Sequence, residues 1–71
     1  MTRDEWLSRL AAELGVAAPS ADELDALLSL AGTAAHAAER QAAPISCWLV
    51  GVAGVPPTEA LQLVARLAET T

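Results

Sequence analysis

From Gln41 to Thr58 this chain carries no charged residue, and within that stretch Ile45, Cys47, Trp48, Leu49, Val50, Val52 and Val55 crowd together. A segment of this kind must be covered by something, and the candidates are a bilayer, the rest of the fold, or another chain. A bilayer span needs about 20 predominantly apolar residues, and Pro44, Gly51, Gly54 and Pro56 interrupt this run. The pattern therefore reads as a short helix over residues 44–53, with Pro44 in its first turn and Gly54 just past its end. It is apolar on nearly every side. Such a helix is expected at the centre of a bundle or beneath a second subunit.

The rest of the sequence divides into three further helices, each bounded by its own signals. Thr2 and Glu5 stand in capping-box register, and Asp4 and Glu5 complement the positive end of a helix dipole. Trp6, Leu7, Leu10, Ala11 and Leu14 recur at three-four spacing, and Gly15 supplies the stop, which gives a first helix over about 3–14. Ser20 and Glu23 repeat the capping register for a second helix. Its expected apolar stripe is Leu24, Leu27, Leu28, Ala31, Ala35 and Ala38, and nothing breaks the pattern before about residue 42. Gly32 inside it costs about 1 kcal/mol against alanine, which calls for a bend or a close backbone approach. The last helix runs from about Pro57 to Glu69, with Leu61, Val64, Ala65 and Ala68 on one stripe. Leu63 and Leu67 lie about 200° and 240° around from Leu61 at helical spacing, a second apolar contact.

An all-α, compact four-helix bundle follows, with helices at about 3–14, 21–42, 44–53 and 57–69 in one domain spanning residues 1–71. Composition agrees: 17 alanines, two tryptophans and no Phe or Tyr favour helices over strands. A chain of 71 residues buries only about 60% of its unfolded surface, so it needs dense packing or a partner.

Charge excludes some functions. Nine acidic residues stand against four basic ones, a formal net charge of −5, with no lysine at all. Arg3, Arg9, Arg40 and Arg66 are too few and scattered to track phosphates, which argues against nucleic acid and anionic membranes. The N-terminal MTRDEW has acidic residues where a secretory signal needs positive charge, and Cys47 is unpaired, so a cytoplasmic location is expected.

Catalytic and metal chemistry finds little purchase. One histidine and one cysteine, without a Cys-x-x-Cys or His-x-x-x-His spacing, offer no metal site, and no cofactor is implied. Cys47 in an apolar segment reads as a small buried hydrophobe. The Asp-Ser-Leu attachment motif of acyl carrier proteins is absent, since Ser20 precedes Ala21-Asp22 and Ser29 follows Leu28. The polar cluster worth singling out is His36, Glu39 and Arg40, which would share one side of the last turns of the second helix. It could bind an anion or a partner carboxylate; the simpler role is to complement the helix dipole. Trp6 and Trp48 are expected as core anchors, with an exposed Trp48 marking an interface instead. Pro44, Ile45, Trp48, Leu49 and Val52 are accordingly the candidate core or homodimer-interface residues.

Three stretches, EWLSRLAAELG (Glu5 to Gly15), LLSLAGTAAHAAERQAAPISCWLVGVAG (Leu27 to Gly54) and PPTEAL (Pro56 to Leu61), resemble a small actinobacterial family of unknown function. Its members occur alone or at the carboxyl end of a molybdenum cofactor guanylyltransferase. The run Ala35-His36-Ala37-Ala38-Glu39-Arg40 and the pair Trp48-Leu49 after Pro44 are its most distinctive parts. The resemblance implies association with that enzyme or with its product or client, and no catalytic role. The transferase's own Leu-Ala-Gly-Gly loop is matched only by Leu30-Ala31-Gly32, which falls in a helix. The expected function is a non-catalytic accessory or protein-interaction domain; the alternative is a small ligand-binding module using His36 and Arg40.

Overall fold

The computed structural model describes residues 1–70. Four helices account for the described regular structure: α1 (Arg3–Leu14), α2 (Ala21–Ala37), α3 (Ala42–Ala53) and α4 (Pro57–Glu69). No strand occurs among the described residues, and the chain is an all-α four-helix bundle.

The ends of the helices follow local chemistry. Thr2 accepts a hydrogen bond from the Glu5 amide to cap α1, and Gly15 closes it in a left-handed conformation (φ 72°), donating toward Ala11 and Ala12. The α2 start is a full capping box between Ser20 and Glu23. Gly54 (φ 72°) ends α3 in the same way that Gly15 ends α1, its amide directed to Val50 and Gly51. Left-handed backbone at these two positions is open to glycine at no steric cost.

Two boundaries differ from the sequence expectation: the third helix begins at Ala42 instead of at about residue 44, and the end of the second moves further. The second helix stops at Ala37 instead of continuing to about residue 42, because Ala38 leaves the helical region (φ −125°, ψ −95°). The cause lies downstream. A proline inside a continuous helix costs about 3 kcal/mol, through a lost hydrogen bond and a ring clash one turn back. Breaking the chain at 38–41 and restarting at Ala42 puts Pro44 third in a new helix, where the amide has no intrahelical partner to lose. The Ala42 and Ala43 amides bond back to the Glu39 and Arg40 carbonyls, so the break is a tight turn and the backbone stays satisfied.

Packing centres on α2. Its extensive contacts run to α4 and to α3, while α1 has no extensive contact with another helix. The buried line along α2 is Ala26, Leu30 and Ala34, joined by Ala60 of α4 and Ala11 of α1. Leu30, at 0% exposure, is the one large side chain fully enclosed among the described residues. This corrects the expected α2 stripe by about one position: Leu28 is exposed and Leu24, Leu27, Ala31 and Ala35 are half-buried. Alanines facing α3 and α4 let the helices approach closely, so the core is built from small residues and the large ones are displaced to its edges.

Two further expectations are overturned. Trp6 is 56% exposed and Trp48 66% exposed, so neither anchors the core. No residue of α3 is buried, so the bundle does not enclose this helix. The expectation that helix three is covered by its own fold fails: among the described residues α2 is the one helix that packs extensively against it, and it leaves the other side open.

Candidate functional site

Helix α3 has two sides that its uniformly apolar sequence does not distinguish. Ala43, Ser46, Cys47 and Val50 are half-buried, and Pro44, Ile45, Trp48, Leu49 and Val52 are exposed. Ile45, Trp48, Leu49 and Val52 recur at three-four spacing, so they form one ridge along the helix. All five candidate core or interface residues therefore lie on the outer surface.

Beside this ridge, a cleft of ≈ 250 Å³ opens between α3 and α4. Leu49, Val50 and Ala53 line one wall and Leu63, Val64 and Leu67 the other. Ser46 is its one polar lining residue. No ionisable side chain faces it, so the cleft offers no acid, base or charged hydrogen-bond partner. Small-molecule sites usually enclose about 300–1,000 Å³ with a few convergent polar groups. This cleft is smaller, open and apolar, and suits side chains of another helix. Leu63 and Leu67, anticipated as a second apolar contact of the last helix, are its exposed wall. The contribution of Val50, Ala53 and Ser46 was not legible, because nothing in the sequence gives the relative placement of α3 and α4.

The polar cluster is reorganised by the break after α2. His36 stays in the last turn of the helix, whereas Glu39 and Arg40 lie in the turn beyond it. They do not share a helical face. His36 and Arg40 border the same shallow depression with Ala35, and Glu39 borders a different one with Gln41, Ile45 and Ser46. All three are exposed. The ion pair found among the described residues is elsewhere, between Arg3 and Asp4 at 2.9 Å on the surface.

Cys47 sits on the half-buried side of α3, and burial pushes its thiol above the ordinary range by penalising the thiolate. That is opposite to the activation a nucleophilic cysteine requires. Among the described residues no group of three His, Cys, Asp or Glu side chains is placed to hold a metal ion. No helix among them is long and apolar enough to cross a membrane.

A second unpartnered apolar face lies on α1, where Leu10 and Leu14 join Trp6 at one-turn intervals, all exposed. Most of the exposed large apolar side chains thus lie on α1, α3 and α4, and of these helices only α3 carries no charged residue.

Comparison with curated proteins and with solved structures gives no match. A family model does match, over residues 1–71, and the chain belongs to that family, described as Domain of unknown function (DUF6457).

Proposed function

We propose that this chain is a non-catalytic helical domain that acts through protein contacts, as an accessory to molybdenum cofactor guanylylation. The observation that carries the first half is the outer surface of α3 and α4, where Ile45, Trp48, Leu49, Val52, Leu63 and Leu67 are all exposed. Contiguous apolar surface of this kind marks interaction sites, and tryptophan is a frequent anchor of them. The second half rests on the resemblance of Leu27 to Gly54 to a domain found fused to the guanylyltransferase. The acidic surface argues for a protein partner over nucleic acid or an anionic membrane. The unpaired Cys47 supports a cytoplasmic site of action.

A pull-down with the tagged full chain as bait and purified guanylyltransferase as prey tests the partner. Retention at a fixed stoichiometry is expected. Absence of retention, at protein concentrations up to about 100 μM and in the presence of molybdopterin and nucleotide, would remove the guanylyltransferase from the proposal.

A second reading has one observation in its favour: His36 and Arg40, although separated by the end of α2, border one depression. As a small ligand-binding module, the chain would take an anion there. Thermal stabilisation by molybdate, molybdopterin or a guanine nucleotide, lost in Arg40→Ala, would support this reading; no stabilisation by any of them would dismiss it.

A further inference from the structure

The surface of this chain is too large for its mass. A monomer of 7.3 kDa is expected to expose about 4,200 Å², and this one exposes 5321 Å². The molecule is also extended, at 38 × 23 × 19 Å with a radius of gyration of 12.6 Å, against about 11 Å for a compact chain of this length. The excess, about 1,100 Å², is comparable to the surface each partner loses in a standard protein interface, about 800 Å².

The kind of partner follows from charge and shape. In a two-fold contact between identical chains the same patch meets itself, so any charge on the patch lies near its own copy. Two chains of net charge −5 repel unless they meet where charge is missing. The segment from Gln41 to Thr58 comes nearest to that: it contains the whole of α3 and no charged residue, and Glu39, which borders a depression with Ile45, stands at its rim. Shape agrees, because the patch holds both a ridge (Ile45, Trp48, Val52) and, next to it, an apolar cleft between α3 and α4. A surface with a projection beside a recess can pack against its own two-fold copy, each ridge in the other's groove.

We propose that the outer face of α3, with the adjoining α3–α4 cleft, is a two-fold interface between two copies of this chain. Trp48 is its anchor. The Ile45–Trp48–Val52 ridge of each copy seats in the cleft walled by Leu49 and Leu63 of the other. This deepens the protein-contact reading given above by naming the occupant of the apolar surface. Cys47, on the half-buried side of α3, stays outside the contact.

Mass measurement by light scattering on the purified full chain, from about 1 to 300 μM, tests the proposal without any other protein. A mass of twice 7.3 kDa is expected, retained or strengthened in 1 M NaCl, since salt screens the residual repulsion between acidic copies. A mass of one chain throughout would overturn it, as would a dimer that dissociates in high salt. Trp48→Glu should weaken the dimer by at least about 30-fold, with helical circular dichroism unchanged because the side chain is exposed; Trp6→Glu on α1 should leave the mass unchanged. If Trp48→Glu reduces helicity, Val52→Glu gives the same reading from the next turn of the ridge. A folded Trp48→Glu or Val52→Glu chain that remains dimeric overturns the assignment of the face. In a Trp6→Phe chain, Trp48 emission should shift to the red on dilution over the range in which the mass falls; emission independent of concentration while the mass halves would count against it. The two proposals separate cleanly: a monomer that still retains the guanylyltransferase refutes the dimer alone, and a dimer that retains nothing refutes the accessory role alone.

Discussion

Ser20 and Glu23 hold each other at the foot of α2: the Glu23 amide donates to the Ser20 hydroxyl at 3.2 Å, and the Ser20 amide donates to the Glu23 carboxylate at 2.8 Å. The pair matters because of the helix it starts. Among the described residues, both extensive helix contacts are made by α2, so fraying its first turn loosens the packing of α4 and α3 together. Ser20→Ala should cost about 1 kcal/mol and lower the thermal midpoint by roughly 4–8 °C in a chain of this size. Thr2 makes the corresponding bond to the Glu5 amide at 3.1 Å, but α1 contributes only Ala11 to the buried set. Thr2→Ala should therefore speed amide exchange within α1 and leave the global midpoint unchanged. Equal shifts from the two substitutions would show that α1 is as firmly coupled to the bundle as α2.

The caps were legible because they are local. Thr2, Gly15, Ser20 and Gly54 each act on backbone groups within a few residues, and the bounds of α1, at 3–14, follow from Thr2 and Gly15 directly, while Pro57 marks the start of α4. The end of α2 was harder, since its cause, Pro44, sits seven residues beyond the last helical residue and no glycine marks the stop. Burial was the least legible property. Periodicity shows which residues share a face of a helix, but it does not say which face meets a neighbour. Large residues such as Trp6, Leu28 and Trp48 look like core by size, yet the close approach of α2 to its neighbours is made by Ala26, Ala34 and Ala60. The same uncertainty affected the site: the outer face of α3 was identifiable as apolar, and its neighbour, the α3–α4 cleft, required the relative placement of two helices.

Leu30 and Trp48 should respond oppositely to truncation. Leu30 is fully enclosed, and Leu→Ala at such a position costs about 2–5 kcal/mol, against a total of about 4–11 kcal/mol for a chain of this length. Leu30→Ala should broaden or abolish the thermal transition seen by circular dichroism. Trp48→Ala removes a mostly exposed ring and should leave helical content intact while reducing association. Loss of helix in Trp48→Ala at concentrations where the wild-type chain is a monomer would contradict the observed exposure.

Cys47 gives a pH dependence with a definite sign. Its thiol is held above the ordinary value of 9.0 by burial, so above that pH the unfolded chain loses a proton that the folded chain keeps. The folded state then binds more protons than the unfolded one, and stability falls as pH rises through the folded-state value; below the ordinary thiol value the contribution is fully present. Denaturant midpoints measured from pH 7 to 10.5 should decline at the alkaline end, and Cys47→Ser should flatten that decline. Alkylation of the native thiol at pH 7.5 should also be slower than that of the urea-unfolded chain. Equal rates would show that the thiolate is not disfavoured in the fold.

Gly32 lies within α2, where its sequence position called for either a bend or a close approach by another backbone. The structure shows no close approach: within α2, which runs from Ala21 to Ala37, a Cβ placed on Gly32 would meet nothing within 4 Å. The missing side chain therefore gives nothing back for the flexibility it adds to the unfolded chain. Gly32→Ala should stabilise the domain by up to about 1 kcal/mol, raising the thermal midpoint by several degrees. The contrast is Gly15→Ala, where there is equal open space but a backbone φ of 72°; left-handed backbone costs an alanine about 1–2 kcal/mol. Two substitutions into open space should thus move stability in opposite directions, with thermal denaturation of the two variants side by side as the measurement. Destabilisation by Gly32→Ala would mean that something packs against this face of α2 in solution, beside the depression that His36 and Gly32 border together.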